Sequence, residues 1–375
     1  MTENDIASRR VARLREMMAQ RGYDAVVIRN NPDLRWLTGA KRVFDFEVAH
    51  TAFITADELR LHTDSRYYNA FVERLGANGP WQIDMDAVDA AEWVARNARA
   101  ARSRTVALED TNTVAFDREL SRAFEASSVA CLTPLLHGDL CDMRAIKDAE
   151  ELDAMRAAQA VTDATFDHMC GFIRPGLTEM QIRAELDNYM LSNGADALAF
   201  DSIVASGPNT ANPHAQPGQR RVEEGDFVLM DYGAGLDDYR SDMTRTVVVG
   251  EPTARQRELF DLVRRAHEEC AAFVKPGVRG CDVHNLAVKV ISDAGYGDYF
   301  KHGLGHGVGI EIHEQPRFSR VYYGPIEAGS VVTIEPGVYL PGFGGVRLED
   351  CGVVTERGYE PFTQSTHELV SIPVR

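Results

Sequence analysis

The C-terminal two thirds of the sequence repeats itself, and this limits the possible folds more than any other feature. Four segments recur in the same order, at offsets of about a hundred residues. The matched pairs are "FIRPG" (172–176) with "FVKPG" (273–277), Gly194 with Gly295, "PHAQP" (213–217) with "IHEQP" (312–316), and "VEEGDFVLMDYG" (222–233) with "IEAGSVVTIEPG" (326–337). Two copies are too few for a solenoid. The pattern predicts two related half-domains of helix, helix and strands that face each other across a pseudo-twofold axis, with a cleft between them.

A chain of 375 residues and 41.5 kDa is too long for one ordinary core, so we expect two domains. Before the repeat, helical and β-rich segments alternate until the pattern breaks at Pro134 and Gly138. The fold class is therefore predicted as α+β. Residues 1–135 are expected to form a small mixed α/β N-terminal domain, and residues 136–375 a second domain with the internal repeat.

Several local signals predict individual elements. "AFITADELRLHT" is typical of a β-hairpin. Asp148 with Glu151, and Thr178 with Gln181, have the spacing of helix N-caps followed by a residue that caps in return. Two helices are therefore expected to begin at these positions.

The charge and the cysteines exclude several classes of protein. The net charge of −17 repels nucleic acid and anionic lipid, so we expect neither as a partner. The polar start "MTENDIASRR" lacks the apolar segment of a signal peptide, and no apolar run is long enough to span a membrane. Six cysteines without a C-x-x-C pair favour a reducing compartment. A cytoplasmic location is expected.

Each half of the repeat carries two carboxylates on strand-like segments. Asp231 in "LMDYG" aligns with Glu335 in "TIEPG", and each is followed by a strand with a further acid, Asp242 or Glu349. Side-chain alternation lets all four face the cleft. Buried together they would lose hydration and repel one another, at a cost of several kcal/mol for each charge. Divalent metal ions would remove that cost.

The segment "HGLGHGVGIEIHEQP" (302–316) adds three histidines. His313 aligns with His214, both within H-x-Q-P, which indicates one symmetric role for this pair. His306 has no counterpart and is predicted to be the fifth metal donor, whereas His302 is predicted to lie in a loop or behind the donors. Four carboxylates and one imidazole suit Mn, Co, Fe or Zn.

Simpler interpretations remain for single residues. An isolated acid at a strand end is usually a solvated turn residue or an ion-pair partner, and Asp242 stands close to Arg240 and Arg245. His214 and His313 are also consistent with satisfied buried histidines. No H-E-x-x-H, G-x-S-x-G or Walker motif occurs, so zincins, serine hydrolases and NTPases find no support.

The segments "DYGAGLDDYRSDMTRT", "HGLGHGVGIEIHEQP", "TIEPGVY" and "GGVRLED" closely resemble the pita-bread metalloenzymes, the family of prolidase, aminopeptidase P, methionine aminopeptidase and creatinase. The resemblance extends from about residue 140 to residue 375. "NPDLRWLTG" and "LHTDSRYYNAF" resemble the creatinase/prolidase N-terminal domain. The fold implied for the C-terminal domain is therefore the pita-bread fold.

The resemblance implies a cofactor of two divalent metal ions. Asp231 would chelate one ion, Asp242 and Glu349 would bridge both, and His306 and Glu335 would complete the shell of the second. Among Mn, Co, Zn and Fe, manganese is favoured. All five donor positions are retained, which argues against the metal-free mechanism of creatinase itself.

The resemblance also implies roles in catalysis and substrate binding. His214 and His313 would contact the substrate amide and stabilise the developing oxyanion, and Arg347 would lie near the substrate carboxylate. An equally good interpretation is that Arg347 balances the negative charge of the acids. Glu335 is the predicted proton shuttle, because it can touch both the nucleophile and the leaving nitrogen.

These features predict a metallopeptidase-type hydrolase that cleaves amide bonds in short peptides, X-Pro in particular, as a prolidase or an Xaa-Pro aminopeptidase does. The metals would lower the pKa of a water molecule and polarise the scissile carbonyl. One alternative is creatinase-like or ectoine-hydrolase-like cleavage of a carbon–nitrogen bond in a small non-peptide amide. Another is a non-catalytic pita-bread module that binds partners.

The resemblance implies a homodimer whose N-terminal domain borders the neighbouring site. Trp36, Phe44 and Arg66 are the candidates to reach that site, although a single aromatic residue in this region is more often part of the core.

Overall fold

The computed structural model describes residues 3–374, with side chains described from residue 7 onwards. The chain divides into two compact units, Met1–Met143 and Arg144–Arg375. This division lies eight residues beyond the boundary predicted from sequence, and the limits 1–135 and 136–375 stay a prediction. Within the described residues, no helix is both long enough and apolar enough to cross a membrane.

The first unit is built on a mixed five-stranded sheet of order β4-β3-β2-β1-β5. Its elements are α1 (Glu3–Arg21), β1 (Ala25–Ile28), α2 (Asn31–Thr38), β2 (Thr51–Thr55), β3 (Leu59–His62), α3 (Tyr68–Leu75), β4 (Gln82–Asp84), α4 (Ala90–Ala101), β5 (Val106–Leu108) and α5 (Val114–Ala126). Strands β2 and β3 pair antiparallel, which confirms the predicted hairpin.

The three residues proposed to reach a neighbouring chain occupy different environments in this unit. Trp36 is 1 % exposed, because helix α2 turns it into the core, so the expectation for Trp36 is wrong. Phe44 is half-buried and packs edge-on against Phe71. Arg66 is exposed and pairs with Asp64. Neither Phe44 nor Arg66 is fully buried in the core of this unit.

The second unit contains all of the repeat, and helix α6 (Asp139–Ala145) leads into it. Its further elements are α7 (Ala149–Phe172), α8 (Glu179–Ser192), β6 (Ala197–Leu198), β7 (Ile203–Ser206), β8 (Phe227–Tyr232), β9 (Ala234–Leu236), β10 (Tyr239–Arg240), β11 (Met243–Val249), α9 (Ala254–Phe273), α10 (Gly280–Asp293), β12 (Gly305–Gly307), β13 (Glu314–Phe318), β14 (Val331–Ile334), β15 (Gly337–Leu340), β16 (Gly344–Arg347), β17 (Asp350–Thr355), β18 (Gly358–Pro361) and β19 (Ser371–Ile372). The predicted caps at Asp148 and Thr178 are confirmed, each with the reciprocal bond from Glu151 or Gln181.

The predicted α+β repeat is confirmed by the element order. Helices α8 and α10 each have 14 residues, and their bounds differ by the 101 residues found in the sequence. Each half packs a helix pair, α7/α8 or α9/α10, against a sheet. The strand orders are β19-β11-β8-β7 in one half and β13-β12-β14-β17-β18 in the other. Each helix pair and the facing sheet enclose a separate apolar core.

The two halves meet along β11 of the first and the β16–β17 segment of the second. Thr246 Oγ1 donates to the Arg347 carbonyl at 3.0 Å, and the Glu349 amide donates to the Thr244 carbonyl at 3.2 Å. Because these bonds join residues about a hundred positions apart, the junction forms only when both halves are folded.

A buried ionic cluster fastens the start of the second unit to β13. Glu314, with 5 % of its side chain exposed, accepts hydrogen bonds from Arg144 and from Lys147, the latter at 3.0 Å. Burial raises the pKa of Glu314, but the two cations outweigh burial and bring the pKa down to about 2. Glu314 is therefore ionised in the folded protein at every ordinary pH.

We expect Glu314→Gln to lower the free energy of unfolding by about 3 kcal/mol at pH 7, because it removes the buried anion that faces Arg144 and Lys147. The folded pKa of about 2 lies below the ordinary value of 4.5. The stabilisation is therefore complete above pH 4.5 and declines as the pH falls towards 2. Urea unfolding at pH 7 and pH 4 measures both effects.

The control is Glu311→Gln, since Glu311 pairs with the same Arg144 but has 45 % of its side chain exposed. We expect a much smaller loss for this variant. Equal losses at pH 7 for the two variants would contradict the assignment of the stabilisation to Glu314.

Candidate metal centre

One cavity of about 460 Å³ in the second unit collects all eight residues predicted for the site. Its polar lining includes the five predicted metal donors and the three predicted substrate contacts. They are Asp231, Asp242, His306, Glu335 and Glu349, with His214, His313 and Arg347. His302 lines the same cavity. Residues separated by up to 135 positions in the chain are thus brought together.

Strand alternation explains why Asp231 faces the cavity. On β8, Val228, Met230 and Tyr232 belong to the apolar core under α7 and α8. Asp231 lies on the opposite face and lines the cavity. In the second half, Ile334 packs into the core under α9 and α10, and the next residue, Glu335, lines the cavity. The apolar residues thus determine the direction of both carboxylates.

The other two acids occupy matching places at strand starts. Asp242 directly precedes β11 and Glu349 directly precedes β17. Both are buried, with 3 % and 2 % of the residue exposed. Thr244, which is opposite Asp231 in the β8–β11 ladder, donates to Glu349 Oε2 at 2.6 Å. This bond joins an acid of one half to a strand of the other.

His306 lies on β12 between acids of both halves. Its Nε2 is 3.6 Å from Asp242 Oδ2 and 3.4 Å from Glu335 Oε1. Its Nδ1 is 3.1 Å from the Gly307 carbonyl, which favours a proton on Nδ1 and a lone pair on Nε2. Burial lowers the pKa of His306 to about 3, and the nearby His313 acts in the same direction. The ring is therefore neutral and available as a ligand.

Burial raises the pKa of all four carboxylates. For Asp242 and Glu335 the rise is large, because Glu349 and the other acids add repulsion to burial. The pKa of Glu349 is raised to about 8, with Asp231 adding to burial. For Asp231 the rise is opposed by Arg347. The cluster therefore has much more negative charge than its single arginine balances.

The donor set fits divalent cations. Asp242, His306 and Glu349 each present a ligand atom within 4.8 Å of the others. The His306 contacts of 3.4 and 3.6 Å exceed hydrogen-bond length, but they match the spacing of about 3.3 Å between two ligands of one tetrahedral ion. Oxygen-rich donors with one imidazole are suited to hard or borderline metals. The residues present therefore fit a divalent metal ion.

The glycines beside His306 serve strand packing. A Cβ on Gly305 would lie 2.1 Å from the Thr333 carbonyl oxygen, and one on Gly307 would lie 2.2 Å from the Gln315 carbonyl oxygen. Their tightest contacts are with neighbouring strands, which hold β12 in register.

His214 and His313 are both exposed to the cavity, so they are not satisfied core histidines. The ring of His313 stands edge-on to that of His306, with centroids 4.4 Å apart. Burial lowers the pKa of His313, and Arg317 acts in the same direction. At neutral pH a ring of this kind is a neutral hydrogen-bond donor.

A buried carboxylate holds the loop that carries His214. Glu179, 1 % exposed at the start of α8, accepts from the amide and hydroxyl of Ser206, both at 2.8 Å, and from the Gly218 amide at 3.0 Å. The repeat partner of Glu179 is Gly280, whose Cβ would lie 2.1 Å from the Arg317 carbonyl oxygen. The two halves thus support their H-x-Q-P segments by different means.

Arg347 is buried and makes four hydrogen bonds. It donates to Asp231, to Thr244 Oγ1 at 3.0 Å, to Tyr339 Oη at 3.0 Å and to the Pro213 carbonyl at 3.3 Å. Tyr339 also contacts His302 Nε2 at 3.0 Å, so His302, which lines the same cavity, is linked to Arg347 through the Tyr339 hydroxyl. The contacts show Arg347 balancing the acid cluster.

Sequence reasoning missed Thr244, Tyr339 and Arg317. Arg317 lines the cavity half-buried on β13, and among the described residues its side chain has no hydrogen bond or ion pair. The sequence did contain one signal for Arg317. The repeat aligns Arg317 with Gly218, so an arginine follows H-x-Q-P in only one of the two halves. Thr244 and Tyr339 carry no such signal.

Comparisons with known proteins cover both units of the chain. The family model described as Metallopeptidase family M24 matches residues 153–356, and the model described as Creatinase/Prolidase N-terminal domain matches residues 10–139. An Xaa-Pro dipeptidase of Pyrococcus horikoshii is 31 % identical over 369 residues, which cover 98 % of this chain and 100 % of the relative.

Two solved structures are similar along almost the whole chain. An Xaa-Pro dipeptidase from Bacillus anthracis has a TM-score of 0.90 at 33 % identity, covering 97 % of this chain and 99 % of that one. An X-Pro aminopeptidase from Thermotoga maritima has a TM-score of 0.86 at 30 % identity, covering 97 % and 100 %.

We expect Asp242→Asn to raise the melting temperature of the metal-free protein by a few degrees, because it removes one of the buried repelling charges. Manganese at about 100 times its Kd would stabilise the wild type by about 2.7 kcal/mol. The variant should gain less than half of this. Thermal unfolding after chelation, with and without added Mn²⁺, measures both values.

The control is Asp201→Asn, since Asp201 lines the cavity but has 93 % of its side chain exposed. This variant should respond to manganese as the wild type does. An equal response from Asp242→Asn would show that Asp242 is not a metal donor.

Proposed function

Because the chain belongs to metallopeptidase family M24 and carries a creatinase/prolidase N-terminal domain, we propose that it hydrolyses the amide bond before proline in short peptides, dipeptides above all. That it is a metallopeptidase-type hydrolase follows from the family. The observation that supports the proline substrate is the similarity to Xaa-Pro peptidases over nearly the full chain. The observation that supports a dipeptide is the uncommitted Arg317 in the cavity.

The metal donors in this proposal are the five clustered side chains. Asp231, Asp242, His306, Glu335 and Glu349 would hold two divalent ions, with manganese favoured. When bound, such ions make water a stronger acid and polarise a carbonyl group. Their positive charge would also offset the repulsion that raises the pKa of the carboxylates.

Glu335 is the proposed proton carrier. Its carboxylate faces the cavity directly after β14, and its Oε1 is 3.4 Å from Thr333 Oγ1, which orients it. It would take a proton from the attacking water as the new carbon–oxygen bond forms. It would then deliver that proton to the proline nitrogen as the carbon–nitrogen bond breaks. The same carboxyl group thus accepts one proton and gives it up again.

His214 and His313 are proposed to stabilise the oxyanion that develops on the scissile carbonyl. Both rings are exposed to the cavity, and donors already in place need little reorganisation during the reaction. Glu179 contributes indirectly, because its bonds to Ser206 and Gly218 hold both ends of the loop that carries His214.

Arg317 is proposed to bind the carboxylate of the C-terminal proline. The sequence had offered Arg347 for this role, but four of its five N–H donors are engaged by Asp231, Thr244, Tyr339 and the Pro213 carbonyl. We therefore assign Arg347 to charge balance at the edge of the substrate site. A single carboxylate-binding arginine next to the scissile bond favours substrates that end directly after proline.

Three further properties are proposed. A homodimer and a preference for manganese are suggested by the resemblance to the family. A cytoplasmic location is supported by the six cysteines without a C-x-x-C pair. Cleavage of a small non-peptide amide is the competing function, and a substrate panel separates the two.

We expect the manganese-loaded enzyme to cleave Ala-Pro faster than Ala-Pro-amide, Ala-Pro-Ala and small non-peptide amides. Arg317→Ala should raise KM for Ala-Pro at least tenfold, as loss of a hydrogen-bonded charge would (about 1.5–3 kcal/mol), and leave Ala-Pro-amide unaffected. Arg320→Ala, an exposed arginine three residues further on, is the control. Failure to cleave any proline peptide would refute the function, and an unchanged preference for Ala-Pro in Arg317→Ala would refute only its carboxylate role.

Glu335→Gln should lower turnover of Ala-Pro by a factor of about 10² to 10⁴, because the amide cannot carry a proton. Circular dichroism should show an unchanged fold, and metal content measured on the same sample separates lost ions from lost proton transfer. Glu327→Gln, an exposed glutamate before β14, should keep wild-type activity. A variant with bound metal and near wild-type turnover would exclude Glu335 as the proton carrier.

A further inference from the structure

A second group of potential ligands lies behind β17, outside the cavity described above. His267 on α9, Asp350 at the start of β17 and His367 before β19 each offer a ligand atom within 4.8 Å of the others. His367 Nε2 is 2.7 Å from Asp350 Oδ2, and His267 Nε2 is 3.5 Å from the same oxygen. None of the three lines the catalytic cavity.

His267 lacks the hydrogen bonds that a buried imidazole normally has. It is 1 % exposed, and neither of its ring nitrogens has a hydrogen-bond partner in the described structure. Buried polar atoms without partners are rare in folded proteins and call for an explanation. Its Nε2 points towards Asp350 at a distance too long for a hydrogen bond but suited to two ligands of one ion.

The surroundings hold the carboxylate and the second histidine in position. Arg245 donates to Asp350 Oδ1 at 2.8 Å, which leaves Oδ2 directed at both histidines. Arg245 also donates to the carbonyls of Ser365 and Thr366, at 2.8 and 3.1 Å, in the segment that carries His367. Outer bonds of this kind orient metal ligands in known sites. Four backbone carbonyls share the charge of Arg245, which limits its repulsion of a cation.

We propose that His267, Asp350 and His367 bind a third divalent cation, with zinc as the preferred metal. Two imidazole nitrogens, one carboxylate oxygen and water form a common zinc environment, whereas the catalytic cavity is richer in oxygen. His367 keeps 32 % of its side chain exposed, which gives the ion and its water a route to solvent.

The third ion would have a structural role. Glu349 faces the catalytic cavity and Asp350 faces the opposite side of the same strand start. An ion on Asp350 would tie α9, β17 and the segment before β19 together at the residue next to Glu349. It would do so without touching the substrate.

Zinc bound per chain tests this proposal. The metal-free full-length protein is dialysed against zinc in excess, and the bound zinc is measured by mass spectrometry. We expect His267→Leu and His367→Ala each to bind one zinc ion fewer than the wild type. This difference does not depend on how many ions the catalytic cavity holds, so failure of the proposed function would not affect it.

Two variants keep the test decisive. His267→Leu places an apolar side chain of similar size in the buried position, whereas His367→Ala alters a partly exposed residue. If one variant fails to fold, the other still tests the proposal. Asp242→Asn should retain the third ion and lose zinc only from the cavity. Equal zinc content in the wild type and the two histidine variants would overturn the proposal.

Discussion

The repulsion among four carboxylates at the junction of two half-domains is the constraint on which the rest of the second unit depends. Asp231, Asp242, Glu335 and Glu349 share one buried cavity with a single balancing arginine. Burial raises the pKa of all four, and repulsion from other acids adds to the rise for Asp242, Glu335 and Glu349, so the chain alone does not satisfy them. Divalent ions are the chemistry that makes such a cluster favourable at neutral pH. The apolar cores under the two helix pairs supply the energy that holds it together.

The repeat explains where the site lies, and the departures from the repeat explain why the two ends of the cavity differ in charge. His214 and His313 are matched across the two halves, but Gly218 corresponds to Arg317 and Glu179 corresponds to Gly280. A symmetric site would grip both ends of a substrate in the same way. Substitution in one half gives the cavity one cationic end, which suits a peptide whose ends are chemically different.

Much of this could be predicted from the sequence because the signals are periodic or local. The capping pairs at Asp148 and Thr178 lie within one helical turn, and the hairpin lies within one short segment. The donors were detectable because the repeat brought Asp231 into register with Glu335. The hydrogen-bond partners of Arg347 and the lack of such partners for His267 in the described structure were not detectable from the sequence. Both depend on packing between segments about a hundred residues apart.

The sequence by itself determined that two related halves would present carboxylates and histidines to a common cleft, since alternation along a strand fixes which side chains share a face. Only the tertiary structure decided that Arg347 is held by Asp231 and Tyr339, whereas Arg317 has no such partner in the part of the chain that the structure describes. The same holds for the meeting of His267 with Asp350 and His367. The physical reason is that a hydrogen bond requires atoms within about 3 Å, and packing alone fixes such distances between remote residues.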